Sequence, residues 1–345
     1  MLAQHMITRP VFEALFSGYS FAQNNPVSKG MQQMLDLLHE HNIEKEADTL
    51  NEFYASVKLR ASGIENAAGK QKIIVELYDK FFRGAFPKMT ERLGIVYTPV
   101  EVVDFIIHSV DHLLQKEFGE TLGSKGVHIL DPFTGTGTFI TRLLQSGLIK
   151  PEELAYKYKN EIHANEIVLL AYYIAAINIE AVYHSLSGKY TPFEGICLTD
   201  TFQLYEHDDL ISHTFADNST RRAKQKRLDI RVIIGNPPYS VGQSSANDNN
   251  QNVAYEHLDQ KIRETYADSS TATNKNALYD SYIRAIRWAS DRVGKSGIIG
   301  FITNAGFIDS RSSDGLRKAL YKEFTDIYIF HLRGLRGVKT SGERA

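Results

Sequence analysis

A single cysteine, Cys197, stands in 345 residues. That excludes an internal disulfide framework and a cysteine-rich zinc site, and it fits a reducing, cytoplasmic setting. Charge of neither sign dominates. The formal net charge is −2, so a polycation that coats nucleic acid is excluded, while a local basic patch is not. No secretory signal is visible at the N-terminus. A membrane-length apolar run is missing as well: the most apolar stretch, "IVLLAYYIAAINIEAVY" (167–183), is broken by Asn178 and Glu180 and predicts a buried helix rather than a span. No complete triphosphate-binding loop is present, and the third glycine of a dinucleotide fingerprint would fall at Ile140. Prolines number only nine, so an adjacent pair, Pro237 and Pro238, stands out. At 43% apolar, the chain has ample material for one large or two ordinary domains.

Two textures divide what is there. Residues 1 to about 92 carry helical periodicity and no convincing strand. "MQQMLDLLHE" (31–40) is one such segment, and "KIIVELYDKFF" (72–82) puts Ile73, Leu77 and Phe81 on one stripe. From about residue 93 onward, short β-branched runs alternate with helical stretches. The runs are 127–131, 161–166, 194–200, 230–236, 297–304 and 326–332; the main helices are 137–147, 166–184 and 277–293. That alternation predicts an α/β fold with right-handed crossovers, an open, largely parallel sheet and helices on both faces. Ligands of such sheets bind outside the carboxyl ends of the strands, so the residues after each strand hold the chemistry.

After the first run comes "DPFTGTGTF" (131–139), where Gly135 and Gly137 let backbone approach a ligand at the start of a helix. A tight strand-to-helix turn would use the same residues. Glu166 follows the second run and is suited to accept from both hydroxyls of a ribose; a solvated helix-start glutamate is the plainer reading. Asp200 follows the third, suited to an adenine amino group with Leu198 or Phe202 packed on the ring, or equally to capping a helix. Taken together, a glycine turn, an acid and a second acid at successive strand ends are the layout of an adenosine-containing cofactor lying across the sheet.

The fourth run ends in "GNPPY" (235–239). Two prolines cannot continue a strand or a helix, so they make a rigid elbow. A planar aromatic amine is a poor nucleophile, because its lone pair is delocalised into the ring. Acceptors at the Asn236 side chain and the Pro237 carbonyl would favour a more tetrahedral nitrogen and stabilise the positive charge that develops on it. Pro237 and Pro238 hold these acceptors rigidly, and Tyr239 offers a face on which an extruded base can stack. A sulfonium methyl as electrophile requires neither a metal nor a strong general base.

With "DPFTGTGTF" and "NPPY" together, the sequence resembles the amino-group DNA methyltransferases that use S-adenosyl-L-methionine, in their adenine-N6 branch. The upstream "GIVYTPVEVVDFI" (94–106) resembles that family's motif before the glycine loop, whose Tyr97, Thr98 and Pro99 would contact the methionine end of the cofactor. Its local reading is a capping box, with Thr98 as N-cap, Pro99 at the first helical position and Glu101 closing the box. Residues 66–99 look like the helical coupler that precedes the methyltransferase in single-chain type ISP restriction–modification enzymes. The resemblance implies a Rossmann-like S-adenosylmethionine-dependent methyltransferase domain over 93–345 and a coupler-like region over 1–92. It implies Asn236, Pro237, Pro238 and Tyr239 as catalytic residues, and Asp131, Phe133, Gly135, Gly137, Glu166 and Asp200 at the cofactor. It also implies double-stranded DNA with a flipped adenine as partner. The resemblance further implies nuclease and ATP-driven motor domains upstream in a longer parent chain, and 340–345 falls where the family would continue to a last strand and a target-recognition domain.

Competing readings are a methyltransferase acting on protein glutamine, cytosine-N4 methylation (which usually has serine in place of Asn236), and a degenerate fold serving as a DNA-binding or assembly subunit. Other features take plain readings. His108 and His112 lie one helical turn apart on what should be a solvated face, with no metal site expected. "RRAKQKR" (221–227) reads as a solvated linker or a phosphate contact, and the serine- and asparagine-rich stretch 240–276 as a mobile loop beside the base pocket.

Overall fold

In the computed structural model the described residues are 24–39, 98–206, 216–238 and 255–332, with Leu2, His5, Met6 and Arg9. The boundary expected at residue 92 and the helical stripe at 72–82 lie outside them.

Five short strands form one sheet: β1 (His128–Asp131), β2 (Ile162–Glu166), β3 (Ile196–Leu198), β4 (Ile230–Gly235) and β5 (Ile298–Phe301). Their order is β3-β2-β1-β4-β5, and every pairing is parallel. This is the doubly wound, Rossmann-like arrangement expected from the alternation, with the chain reversing direction of growth between β1 and β4. Strands covered on both faces should be apolar nearly throughout, and β4 is: only Arg231 of its six residues is not buried.

Side-chain alternation sends neighbouring strand residues into two separate cores. Ile129, Val232 and Ile234 face one core. There they meet α1 (Pro26–His39), α2 (Val100–Phe118), α3 (Thr138–Gln145), α4 (Pro151–Asn160) and α5 (Leu169–Ser187). Leu130 and Ile233 face the other core, made by α7 (Glu256–Ile262), α8 (Ser281–Arg292) and α10 (Asp314–Glu323). Between these lie α6 (Ala216–Lys226) and the short α9 (Gly306–Asp309).

The apolar stretch read as a buried helix is α5, whose residues 169–183 are all buried. Its polar interruptions have partners, as buried polar groups must. Asn178 Nδ2 donates to the Thr136 carbonyl, and the Glu180 carboxylate accepts from the Tyr190 hydroxyl and the Phe193 N–H. Among the described residues, no helix is long and apolar enough to cross a membrane. The N-terminal segment is tied to the same helix: Asn25 caps α1 through the N–H groups of Val27 and Ser28 and donates to the Tyr172 hydroxyl, while His5 bonds the Tyr173 hydroxyl.

Four expectations need correction. The run 326–332 forms no strand: β5 is the last strand of the sheet among the described residues, and Ile327, Tyr328, Ile329 and Phe330 are exposed. A β-branched run becomes a strand only where an edge pairs with it. The basic run 221–227 is not a linker; most of it is the last turns of α6, anchored by buried Asn218 and Gln225. Asn218 brackets the backbone of Leu198 on the edge strand β3, accepting from its N–H at 2.9 Å and donating to its carbonyl at 3.0 Å. Gln225 donates to Asn165 Oδ1 on β2. The expected loop 240–276 holds α7 and a π-helical turn at Arg263–Ala267. Tyr255, Leu258, Ile262 and Tyr266 form a buried stripe there that the surrounding polar residues hide in the sequence. The capping box before α2 does not form. The helix begins at Val100 with Pro99 in the capping position, and no side chain caps it.

Two further features lie at the surface. His108 and His112 are exposed on α2. The chain's Gly294-Lys295-Ser296 triplet, a fragment of a triphosphate loop, lies in the turn before β5 rather than after a strand.

Candidate active site at the carboxyl ends of four strands

Parallel pairing puts the ends of β1 to β4 on one rim. Asp131 is in register with Ala164, Glu166 with Leu198, and Gly235 with Phe301. Asp131, Glu166, Asp200 and Asn236, scattered over more than a hundred residues of chain, therefore share one edge of the sheet.

The glycine turn is built between β1 and α3. Gly135 and Gly137 have φ of 56° and 89°, in the left-handed region that a side chain rarely adopts. A Cβ on Gly135 would meet nothing within 4 Å, so the outer side of the turn is open. A Cβ on Gly137 would lie 3.2 Å from Ala175 Cα, so that glycine lets the turn pack on α5. Hydrogen bonds hold the loop from every side: the Thr134 N–H donates to the Asn165 carbonyl, the Gly135 N–H to Glu166 Oε2 at 2.8 Å, and Asn178 to the Thr136 carbonyl. Asn165 was not singled out from sequence, and Asn178 was noted only as a polar break in an apolar helix.

The three acids are all desolvated. Asp131 is fully buried, and burial pushes its carboxyl up to about 8. Its Oδ1 accepts the Phe133 N–H, while Oδ2 finds no hydrogen-bond partner among the described residues. Gly235 packs closely beside it: a Cβ there would sit 3.0 Å from Asp131 Oδ1. Glu166 is raised to about 7 by burial, against the pull of N–H groups from Val168, Gly135 and Ile167. Both of its oxygens accept backbone donors, Oε2 from Gly135 and Oε1 from Val168 at 2.7 Å. Asp200 is also raised by burial. Its Oδ1 accepts the Phe202 N–H and its Oδ2 the Tyr255 hydroxyl at 3.0 Å.

Aromatic rings line this rim. Phe133 lies 5.5 Å from Phe202 and 6.3 Å from Phe301, and Tyr255 stands edge-on to Phe202 at 5.2 Å. Leu198, the other residue expected against an adenine ring, is half-buried on β3. Tyr255 escaped the sequence analysis because it begins the hidden stripe of α7.

At the end of β4, Asn236 and Pro238 are half-buried and Pro237 is buried. The Gly235 carbonyl accepts from the Ile302 N–H, which ties the elbow to the end of β5. Asn236 Nδ2 donates to Thr98 Oγ1 at 3.0 Å. Thr98 is thereby at this rim, where it bonds the asparagine and does not cap α2. Tyr97 and Tyr239 lie outside the described residues.

Comparison with known proteins agrees with this geometry. Residues 1–69 match the family model of the Type ISP restriction-modification enzyme coupler domain, and residues 155–336 match that of the Eco57I restriction-modification methylase. No curated protein matches the chain. A solved structure of a nuclease-deletion mutant of the Type ISP restriction-modification enzyme LlaGI, in complex with a DNA substrate mimic, is 52% identical with a TM-score of 0.87. The match covers 94% of this chain and 26% of that one. The ATP-dependent Type ISP enzyme LlaBIII bound to DNA is 54% identical with a TM-score of 0.86, over 93% of this chain and 22% of that one. DrdV in a complex with DNA is 41% identical with a TM-score of 0.85, over 94% and 32%. The chain thus spans a third or less of the length of these relatives. A glycine turn and buried acids at successive strand ends, with Asn-Pro-Pro after the fourth, are therefore the rim of a methylase domain of restriction–modification type: the chain belongs to the Eco57I restriction-modification methylase family and begins with a Type ISP coupler region.

Proposed function

We propose that this chain transfers a methyl group from S-adenosyl-L-methionine to the N6 amino group of an adenine flipped out of double-stranded DNA. It would do so as the methyltransferase part, 93–345, of a longer cytoplasmic restriction–modification polypeptide with nuclease and ATP-driven motor domains, preceded by the coupler-like region 1–92. The observation that carries this reading is the presence of Asn236, Pro237 and Pro238 on the same sheet edge as the glycine turn and the three buried acids.

The residues present fit such a cofactor. The outer side of Gly135 is open, and the buried Asp131 Oδ2 has an unmet need for a donor or a cation. When bound, S-adenosylmethionine supplies an electrophilic sulfonium methyl. Glu166 accepts from ribose hydroxyls, Asp200 accepts from the adenine amine, and Phe202 packs beside the ring. Tyr97, Thr98 and Pro99 form the wall at the methionine end. The Asn236 oxygen and the Pro237 carbonyl accept from the target amine, hold its lone pair out of conjugation and stabilise the charge it gains. Pro238 stiffens the elbow, and Tyr239 stacks on the flipped base. No group here has to remove a proton before attack, because the amine's proton leaves after the methyl arrives.

The test is methyl incorporation from labelled cofactor into duplex DNA by the full-length protein, with the product nucleosides separated. Label in N6-methyladenine is expected. Label in N4-methylcytosine, or in protein, would overturn the substrate assignment, and a chain that does not bind S-adenosylmethionine would overturn the cofactor assignment.

A further inference from the structure

We infer that Tyr255 is a positioning residue for Asp200: its hydroxyl holds that carboxylate as an oriented acceptor, and so sets the cofactor site's preference for a purine that carries an exocyclic amine. This rests on the proposed role of Asp200 at the adenine. An aromatic amine offers N–H groups, so the group that meets it has to accept and not donate. A carboxyl does this reliably only when ionised, since a protonated one can turn its O–H towards the ligand. Hydrogen bonds from the protein to the ionised form are what keep a desolvated acid in that form.

Tyr255 supplies such a bond from a distant element. Its hydroxyl lies 3.0 Å from Asp200 Oδ2, across 55 residues of sequence, while the Phe202 N–H bonds Oδ1 at 2.9 Å. An ionised carboxylate has no proton to give, so the phenol donates. With one donor on each oxygen, the plane of the carboxylate is fixed. Burial raises the Asp200 carboxyl, and Tyr255 works against that rise together with the N–H groups of Phe202 and Gln203. Three protein donors, set against about four acceptor sites on an ionised carboxylate, leave room for one more.

The phenol is itself held in place. The Arg284 guanidinium lies over its ring at 5.1 Å and makes two bonds of 2.8 Å to Asp259, one turn further along α7. Glu206 accepts from the N–H groups of His257 and Leu258 at the start of the same helix. The segment that follows β3 thus grips α7 at two points, Asp200 and Glu206, and Tyr255 is placed by the segment whose carboxylate it holds.

The experiment measures two affinities of the full-length protein by calorimetry. One probe is S-adenosyl-L-homocysteine; the other is its analogue with purine in place of adenine, which lacks only the amine. Neither carries a methyl to transfer, so binding is read without turnover. Wild type should prefer the adenine compound about 10- to 100-fold, the range for one hydrogen bond to a charged group. Tyr255→Phe keeps the ring and its contacts to Phe202 and Arg284. It should lose about fivefold or more of that preference, while the purine compound binds within about threefold of wild type. A merely structural role, or partial unfolding, would weaken both compounds alike and leave their ratio unchanged, which overturns the inference. In an Asp200→Ala background, Tyr255→Phe should not alter the ratio further. A selective loss of the adenine compound there would mean that the phenol meets the amine itself, and would overturn a role through Asp200. Wild-type protein that binds the two compounds equally would instead remove the underlying assignment of Asp200, and the inference with it.

Discussion

The Gly135 N–H and Glu166 Oε2 meet at 2.8 Å, so the turn after β1 and the acid after β2 are one structural unit. Removing the carboxylate therefore acts on ligand and loop alike. Glu166→Ala deprives a ribose of its acceptor, leaves the buried Val168 N–H unpaired at about 1–3 kcal/mol, and frees the part-buried Gly135 N–H. It should lose more cofactor affinity than Asp200→Ala and also lower the denaturation midpoint. Unchanged affinity by calorimetry would detach Glu166 from the cofactor and leave it a bolt for the loop.

At the other end of the rim, Asn236→Ala and Pro237→Ala should lower methyl transfer while leaving S-adenosylmethionine affinity near wild type. The Asn236 acceptor is typically worth ~10²–10³ in rate, whereas Pro237→Ala keeps the backbone carbonyl and loses only the ring that fixes it, so its cost should be smaller. Rapid-quench methyl transfer beside calorimetry on the same preparations checks this; a fall in affinity matching the fall in rate would contradict it.

Burial makes the apo protein sensitive to pH. Asp131 and Glu166 are raised to about 8 and about 7, so between pH 4 and those values the folded state keeps protons that the unfolded state has lost. Stability contributed by these groups is fully present at low pH and falls as pH rises through the folded values. His163, held down to about 3 by burial, works the other way: its contribution is present above the ordinary histidine range and is lost as pH falls towards 3. Chemical denaturation should thus find less stability at pH 8.5 than at pH 6.5, and Asp131→Asn should flatten that slope. A cationic cofactor favours ionised Asp131, so its binding should release protons near neutrality, seen as a buffer-dependent heat. Heats that are the same in buffers of different ionisation enthalpy would count against an ionising Asp131.

Gly137 and Gly188 separate two costs of replacing glycine. Both have positive φ, 89° and 70°, but a Cβ at Gly137 meets the Ala175 backbone whereas one at Gly188 meets nothing within 4 Å. Gly188→Ala should cost roughly 1–2 kcal/mol from the left-handed backbone alone. Gly137→Ala should cost more and also impair cofactor binding, because α5 has to move. Equal denaturation midpoints for the two variants would mean that the turn yields without disturbing α5.

What the sequence disclosed follows from the range over which each signal acts. Asp131, Glu166, Asp200 and Asn236 were legible because each ends an apolar run, and parallel topology converts that one-dimensional fact into a shared edge. The partner of Thr98 was not legible. Its local context reads as a helix cap, and the bond it makes instead depends on a contact 138 residues away. Tyr255 was missed because its stripe is diluted by polar neighbours, and 326–332 was misread because β-propensity cannot say whether an edge is there to receive a strand.

Asn218 has a consequence for association between molecules. The unsatisfied N–H and carbonyl groups of an edge strand are a template on which a strand from another chain can add. By bonding both groups of Leu198 with one side chain, Asn218 occupies part of the template at the β3 edge and sets a helix across it. The carboxamide and the helix that carries it together cover that edge, so Asn218→Ala would loosen the cover and turn a packing contact into a determinant of solubility.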